Sequence, residues 1–210
     1  MDRPARIEYD TEGFSESDAD SNPHVLFERW FAEALAADLV EPTAMLLATA
    51  TRRGVPSVRA VLFKGMFEGG FTFYTNYESR KAVELEDNPV AAAVFLWQPM
   101  HRQVRLEGDV VRAPDQLSDS YFATRPPGSR LAAAVSPQSG VIPDRVWLEN
   151  EYRALEEQHP DGVLPRPEGW GGYVLTPRVF EFWQGRVNRL HDRLRYRLSA
   201  DGWIRERLAP

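Results

Sequence analysis

Between residues 44 and 111 the chain offers one short apolar run after another, and most of the connections between them are too brief to hold a crossover helix. Residues 44–51, 57–65, 71–76, 90–97 and 103–111 read as strands. Arg53-Gly54-Val55-Pro56 and Glu68-Gly69-Gly70 are the turn-forming clusters between the first three. A parallel connection needs a dozen or more residues, so these short links predict antiparallel neighbours in a meander. Consecutive short strands of this kind are the pattern of a barrel or sandwich, and the flanking segments make the class mainly β with added helices, α+β.

The flanks carry helical signals. Asn22 and Pro23 supply an N-cap and a first-turn proline for a helix through about residue 39, with Leu26, Phe27, Trp30, Phe31 and Leu35 spaced to face a core. Residues 79–87 form a short helical segment, and 114–123 and 129–135 form two more on either side of Arg125-Pro126-Pro127-Gly128. Residues 143–159 predict an amphipathic helix with Val146, Leu148, Tyr152 and Leu155 inward, and the proline- and glycine-rich 159–172 predicts a surface loop. Residues 173–183 return to strand, and 194–199 and 203–208 form a hairpin across Ala200-Asp201-Gly202. The acidic, apolar-poor residues 1–21 are expected to be a mobile N-terminal segment, leaving 22–210 as a single domain.

A net charge of −6 argues against a general nucleic-acid surface, so basic clusters are expected to serve a small anion. The absence of cysteine removes disulfides, thiolate metal sites, iron–sulfur clusters and thiol nucleophiles, and no metal is expected. No apolar run approaches membrane-spanning length and residues 1–20 hold no signal-peptide core, which predicts a cytoplasmic protein. The usual signatures of Rossmann, P-loop, zincin and α/β-hydrolase chemistry are missing.

The tract Glu181-Phe182-Trp183-Gln184-Gly185-Arg186-Val187-Asn188-Arg189-Leu190-His191-Asp192-Arg193 concentrates the chemistry. If its second half is extended, Arg189, His191 and Arg193 share one face, where they repel unless an anion sits among them. A solvated basic edge strand is the alternative, against which stand the preceding aromatics Phe180, Phe182 and Trp183. Arg59 and Lys64 lie in one apolar strand and share a site only if that strand bulges or ends between them. Ser79-Arg80-Lys81 is either a phosphate cradle at a helix start or an ordinary cap. Tyr121, Arg125 and Ser129 recur every four residues, but the double proline forbids one helix, so they act as oxyanion donors together only if the turn gathers them. His24, His101 and His159 read as structural or solvated, leaving His191 among the candidates.

Taken with Arg59 to Lys64, Ser79-Arg80-Lys81, Gln103 and Arg125-Pro126, that tract resembles the pyridoxine/pyridoxamine 5′-phosphate oxidase family, over nearly the whole chain from Arg6 to Pro210. The resemblance implies an FMN-binding split β-barrel of antiparallel, Greek-key-like type, and a homodimer with FMN at the subunit interface. It implies cofactor contacts from Arg59, Val61, Leu62, Lys64, Tyr74, Thr75, Arg80, Lys81, Gln138 and Ser139, with Gln103, Trp183 and Arg193 near the flavin ring. Lys64, Tyr121, Arg125 and Ser129 would grip the substrate phosphate, Arg189 and His191 would cover its pyridine ring as catalytic residues, and Arg6 and Tyr9 would close over it. The implied reaction oxidises pyridoxine or pyridoxamine 5′-phosphate to pyridoxal 5′-phosphate, with O2 as acceptor and H2O2 as product. A flavin oxidase acting on another aromatic, phenazine-type substrate is the alternative within that resemblance, and a non-catalytic flavin- or haem-binding split barrel is the alternative outside it. Ala132-Ala133-Ala134, where many relatives have Gly-Ala-Trp, and the acidic 15–20 stretch depart from the family pattern.

Overall fold

In a computed structural model that describes residues 8–210, Asn22 caps the first helix as expected. Its side chain accepts from the backbone N–H of His24, and Pro23 occupies the first turn of α1 (Pro23–Ala36). Leu26, Phe27 and Trp30 are buried, whereas Leu35 is 53% exposed: the inward stripe turns onto Ala34 in the last turn. The remaining elements are β1 (Ala44–Ala50), β2 (Pro56–Leu62), β3 (Met66–Phe67), β4 (Gly70–Asn76), α2 (Arg80–Asp87), β5 (Val90–Trp97), β6 (Arg102–Arg112), α3 (Asp115–Thr124), α4 (Pro127–Val135), α5 (Arg145–Gln158), β7 (Trp170–Gln184), β8 (Asp192–Ser199) and β9 (Gly202–Arg207).

The strands form one sheet in the order β2-β1-β5-β6-β7-β4-β3, with β8 on β7 and β9 on β8. The pairs β3/β4, β4/β7, β7/β8 and β8/β9 are antiparallel. A simple meander is therefore incorrect: β4 pairs with the distant β7, and β5 pairs with β1, because α2 carries the chain away between β4 and β5. The C-terminal hairpin follows its turn signal, with Ser199 opposite Gly202 and Gly202 at a φ of 110° that favours glycine.

The chain divides into two compact units. The first comprises Met1–Leu47, Ala92–Gly108 and Pro177–Pro210; the second comprises Ala48–Ala91 and Asp109–Thr176. The first buries an aromatic core of Phe27, Trp30, Phe95, Trp97, Phe180, Phe182 and Tyr196. It also takes in part of the acidic N-terminal stretch, since Phe14 is buried with its ring centroid 5.0 Å from that of Trp30. The second unit is centred on Phe71, Phe73, Leu85 and Tyr173. In α5 the expected inward stripe is not buried and Val146 is 61% exposed. Among the described residues no helix is long and apolar enough to cross a membrane.

Candidate functional site

The second unit holds a cleft of about 630 Å³. β2 is the edge strand of the sheet, so Arg59, Val61 and Leu62 all reach the cleft. The strand ends at Leu62, and the backbone then turns through Gly65 at a φ of 104°, which brings Lys64 to the same cleft as Arg59. The ending of the strand thus resolves the conflict of alternation between these two cations. Tyr74 and Thr75 come from β4, Arg80 and Lys81 from the start of α2, and Gln138 and Ser139 from the segment after α4.

Lys81 is only 7% exposed, and its ammonium donates to Thr75 Oγ1 at 2.9 Å, Ser79 Oγ at 3.3 Å and Gln138 Oε1 at 3.3 Å. Gln138 Oε1 also accepts from Thr75 Oγ1 and the Asn76 N–H, which ties the loop after α4 to β4. Burial, and then the nearby Arg59 charge, lowers the Lys81 pKa to about 8. Ser79 turns its hydroxyl to Lys81 instead of capping α2, so only Arg80 and Lys81 of the expected cradle face the cleft.

Tyr74, Tyr121 and Trp170 form the aromatic wall. Tyr74 stacks on Tyr121 at 3.9 Å and on Trp170 at 5.5 Å. Tyr74 pairs with Gly172, where any Cβ would sit 2.8 Å from its ring, so the stack requires glycine there. The Arg125 guanidinium lies 4.7 Å from the Trp170 ring centre, and its buried Nη1 has no hydrogen-bond partner among the described residues. Among the described residues five cationic side chains line the cleft, Arg59, Lys64, Arg80, Lys81 and Arg125, and no carboxylate does. A buried donor left without a partner and an excess of positive charge are the complement of an anion. Ser129, predicted with Tyr121 and Arg125, sits in the first turn of α4 and is not among the cleft residues.

Tyr9, Gln103, Trp183, Arg189, His191 and Arg193 belong to the first unit, and Arg6 lies outside the described residues. The expected alternation of Arg189, His191 and Arg193 on one extended face is not found. Residues Val187–Arg189 form a 3₁₀ turn with Asn188 and Arg189 at φ of 56° and 63°, and β8 begins only at Asp192. His191 still gathers with aromatics: its ring centre lies 4.6 Å from that of Trp183 and 5.8 Å from that of Tyr9. Its Nδ1 accepts the Arg186 N–H at 3.1 Å, which leaves the proton of the neutral ring on Nε2. Desolvation and the charges of Arg189 and Arg193 lower its pKa. Arg193 donates from Nε to Glu181 Oε1 and from Nη1 to the Ala209 carbonyl, both at 2.8 Å, while Arg105 reaches the other Glu181 oxygen at 3.0 Å.

Sequence reasoning missed three participants. Trp170 was hidden at the edge of a stretch read as loop. Glu84 was visible only as a carboxylate four residues after Arg80. His101, which the sequence reads as structural or solvated, packs its ring 4.4 Å from that of Tyr9.

The sheet and this cation-lined cleft with its aromatic wall define a split β-barrel protein suited to a flat, phosphorylated ligand. A family profile described as "Pyridoxamine 5'-phosphate oxidase" matches residues 31–159, and one described as "Pyridoxine 5'-phosphate oxidase C-terminal dimerisation region" matches residues 170–210. The chain belongs to the pyridoxamine 5′-phosphate oxidase family. It is 51% identical to a pyridoxine/pyridoxamine 5′-phosphate oxidase of Cyanothece sp., over 98% of this chain and 96% of that one. It is 46% identical to the pyridoxine-5′-phosphate oxidase of Bos taurus, over 99% and 87%. Its fold matches the crystal structure of PhzG from Burkholderia lata 383 in complex with tetrahydrophenazine-1-carboxylic acid, with TM-score 0.91, 32% identity and coverage of 97% and 100%.

Proposed function

We propose that this protein is an FMN-dependent oxidase that converts pyridoxine 5′-phosphate and pyridoxamine 5′-phosphate to pyridoxal 5′-phosphate, with O2 as acceptor, acting as a homodimer with FMN at the subunit interface. The observation that carries the reading is the cleft itself: among the described residues five cations, one with a buried N–H lacking a partner there, face an aromatic wall with no carboxylate among them. These residues fit a flavin phosphate and a phosphorylated pyridine. FMN, when bound, supplies the redox chemistry by taking two electrons from the substrate and passing them to O2.

The chain's own part is to bind and orient. Arg59, Arg80, Lys81, Gln138 and Ser139 are assigned to the FMN phosphate and its surroundings, with Val61, Leu62, Tyr74 and Thr75 along the rest of the cofactor. Lys64, Tyr121 and Arg125 hold the substrate phosphate, with Lys64 also able to serve the cofactor. Ser129 is retained on the resemblance alone. Gln103, Trp183 and Arg193 are assigned to the flavin ring, where Glu181 fixes the Arg193 guanidinium. Arg189 and His191 position the substrate ring, and Tyr9 packs beside His191. His191 stays neutral as its pKa falls and presents Nε2–H as a donor.

Identity near one half to proteins named for pyridoxine phosphate oxidation favours this substrate over a phenazine precursor, whose structural relative shares 32%. Oxygen uptake with pyridoxine 5′-phosphate, with pyridoxine and with a dihydrophenazine carboxylate tests the choice. The phosphorylated vitamer is expected to be the substrate, in a yellow protein that releases FMN on denaturation. A colourless monomer that takes up no FMN would end the proposal.

A further inference from the structure

Behind the cleft lies a carboxylate that the proposed reaction does not use. Glu84, on α2, is 4% exposed and does not line the cleft, yet three hydrogen bonds and the Arg59 guanidinium converge on its two oxygens. Oε1 accepts from Arg80 Nε at 2.9 Å. Oε2 accepts from the hydroxyls of Thr49 and Ser57, each at 2.5 Å, and lies 3.5 Å from Arg59 Nη2. The same hydroxyls bind Arg59: Nη1 donates to Thr49 Oγ1 at 2.6 Å and Nη2 donates to Ser57 Oγ. Only one arrangement of protons satisfies this network. A carboxylate only accepts and a guanidinium only donates, so each hydroxyl must receive from Arg59 and give to Glu84.

We infer that Glu84 is a positioning residue, which aims Arg59 and Arg80 together at the phosphate end of the flavin cofactor. This rests on the proposed flavin-binding reading and adds to it the device that sets the two guanidiniums. The strands and helix alone do not set them. Arg59 is on an edge strand and Arg80 is an exposed first-turn residue, and each long side chain has many rotamers that miss the cleft. Glu84 reaches both from the interior, and it offsets the mutual repulsion of Arg59, Arg80 and Lys81 without itself facing the ligand. Desolvation pushes its pKa up, but the hydrogen bonds from Ser57, Thr49 and Arg80 prevail and hold it at about 2, so it is anionic throughout the working pH range. Glutamine cannot replace it. With the amide oxygen toward the hydroxyls, the NH2 group faces Arg80 Nε; flipped, it donates to hydroxyls that already receive from Arg59.

The full-length chain, freed of flavin, is titrated with FMN and with riboflavin by the quenching of flavin fluorescence. Wild type is expected to prefer FMN. Glu84→Gln is expected to weaken FMN at least tenfold, about 1.4 kcal/mol, while riboflavin stays within about twofold and Glu84→Asp recovers part of the loss. Ser57→Ala, which retains the carboxylate and removes one relay, is expected to lose FMN affinity in the same direction by a smaller factor, and it stands in if Glu84→Gln does not fold. An FMN affinity that is unchanged or increased, or an equal loss for both flavins, overturns the inference. A wild type that binds neither flavin overturns the functional reading instead.

Discussion

Arg125→Met should raise the stability of the substrate-free protein while crippling its use of substrate, and both magnitudes follow from one orphaned atom. Arg125 holds Nη1 buried without a partner among the described residues. A buried donor left unmade costs about 1–3 kcal/mol, and methionine removes that cost while filling similar volume. Against this, the substitution forfeits cation–π contact with Trp170 at 4.7 Å and Phe122 at 5.8 Å, worth about 0.5–2 kcal/mol. The net spans about −1 to +2.5 kcal/mol and centres on about 0.8 kcal/mol in favour of the folded state, a melting temperature about 2–3 °C higher at the centre of that range for a chain of this size. With pyridoxine 5′-phosphate the sign reverses. Losing charge-assisted bonds to the phosphate, worth about 1.5–3 kcal/mol, raises KM about 10- to 150-fold, with FMN content unchanged. Thermal unfolding of the FMN-loaded variant without substrate, beside oxygen-uptake kinetics, reads both quantities. A variant that melts more than about 4 °C lower and keeps the wild-type KM would refute the reasoning, because Arg125 would then be a stabilising structural cation.

The buried ammonium of Lys81 gives two pH dependences of opposite sign. Its pKa in the folded chain, about 8, is below the ordinary 10.5, so the unfolded chain binds the proton more tightly. Its contribution to ligand-free stability is therefore lowest below pH 8 and rises between 8 and 10.5, whereas FMN affinity falls across that window as the charge is lost. Urea unfolding and FMN titration from about pH 7 to about pH 10 should show both slopes, and Lys81→Met should flatten both; a variant that keeps the wild-type slopes would remove Lys81 as their cause. Arg189 is an exposed residue of a short turn, so Arg189→Ala should leave folding within about 0.5 kcal/mol and FMN bound, while turnover drops about a hundredfold. Unchanged turnover would take Arg189 out of the mechanism.

Much of the site was readable along the chain because its residues sit beside local punctuation. The end of β2 after Leu62 and the opening of α2 at Arg80 each place cations by rules that act over a few residues, and the resemblance named the same positions. Arg189 shows where that fails. Alternating charge read as extended backbone, but Asn188 and Arg189 take left-handed dihedrals and a 3₁₀ turn replaces the strand. Tolerance for that geometry is a weak signal in Asn and none in Arg. The predicted inward faces of Leu35 and Val146 failed for another reason. Periodicity says which residues could share a face, while exposure depends on what lies opposite.

By itself the sequence determined most of the strands and helices, the cap of α1 and the turn of the C-terminal hairpin, the surplus of cations at a few positions and the family. Those properties are set by backbone sterics and side-chain chemistry within a turn or two of each residue. Only the tertiary structure decided that β4 lies against β7, that Trp170 completes a wall begun by Tyr74 and Tyr121, and that Glu84 stands behind Arg59 and Arg80. Such pairings join residues far apart in the chain, and their free energy comes from packing and desolvation that exist only once the segments have met.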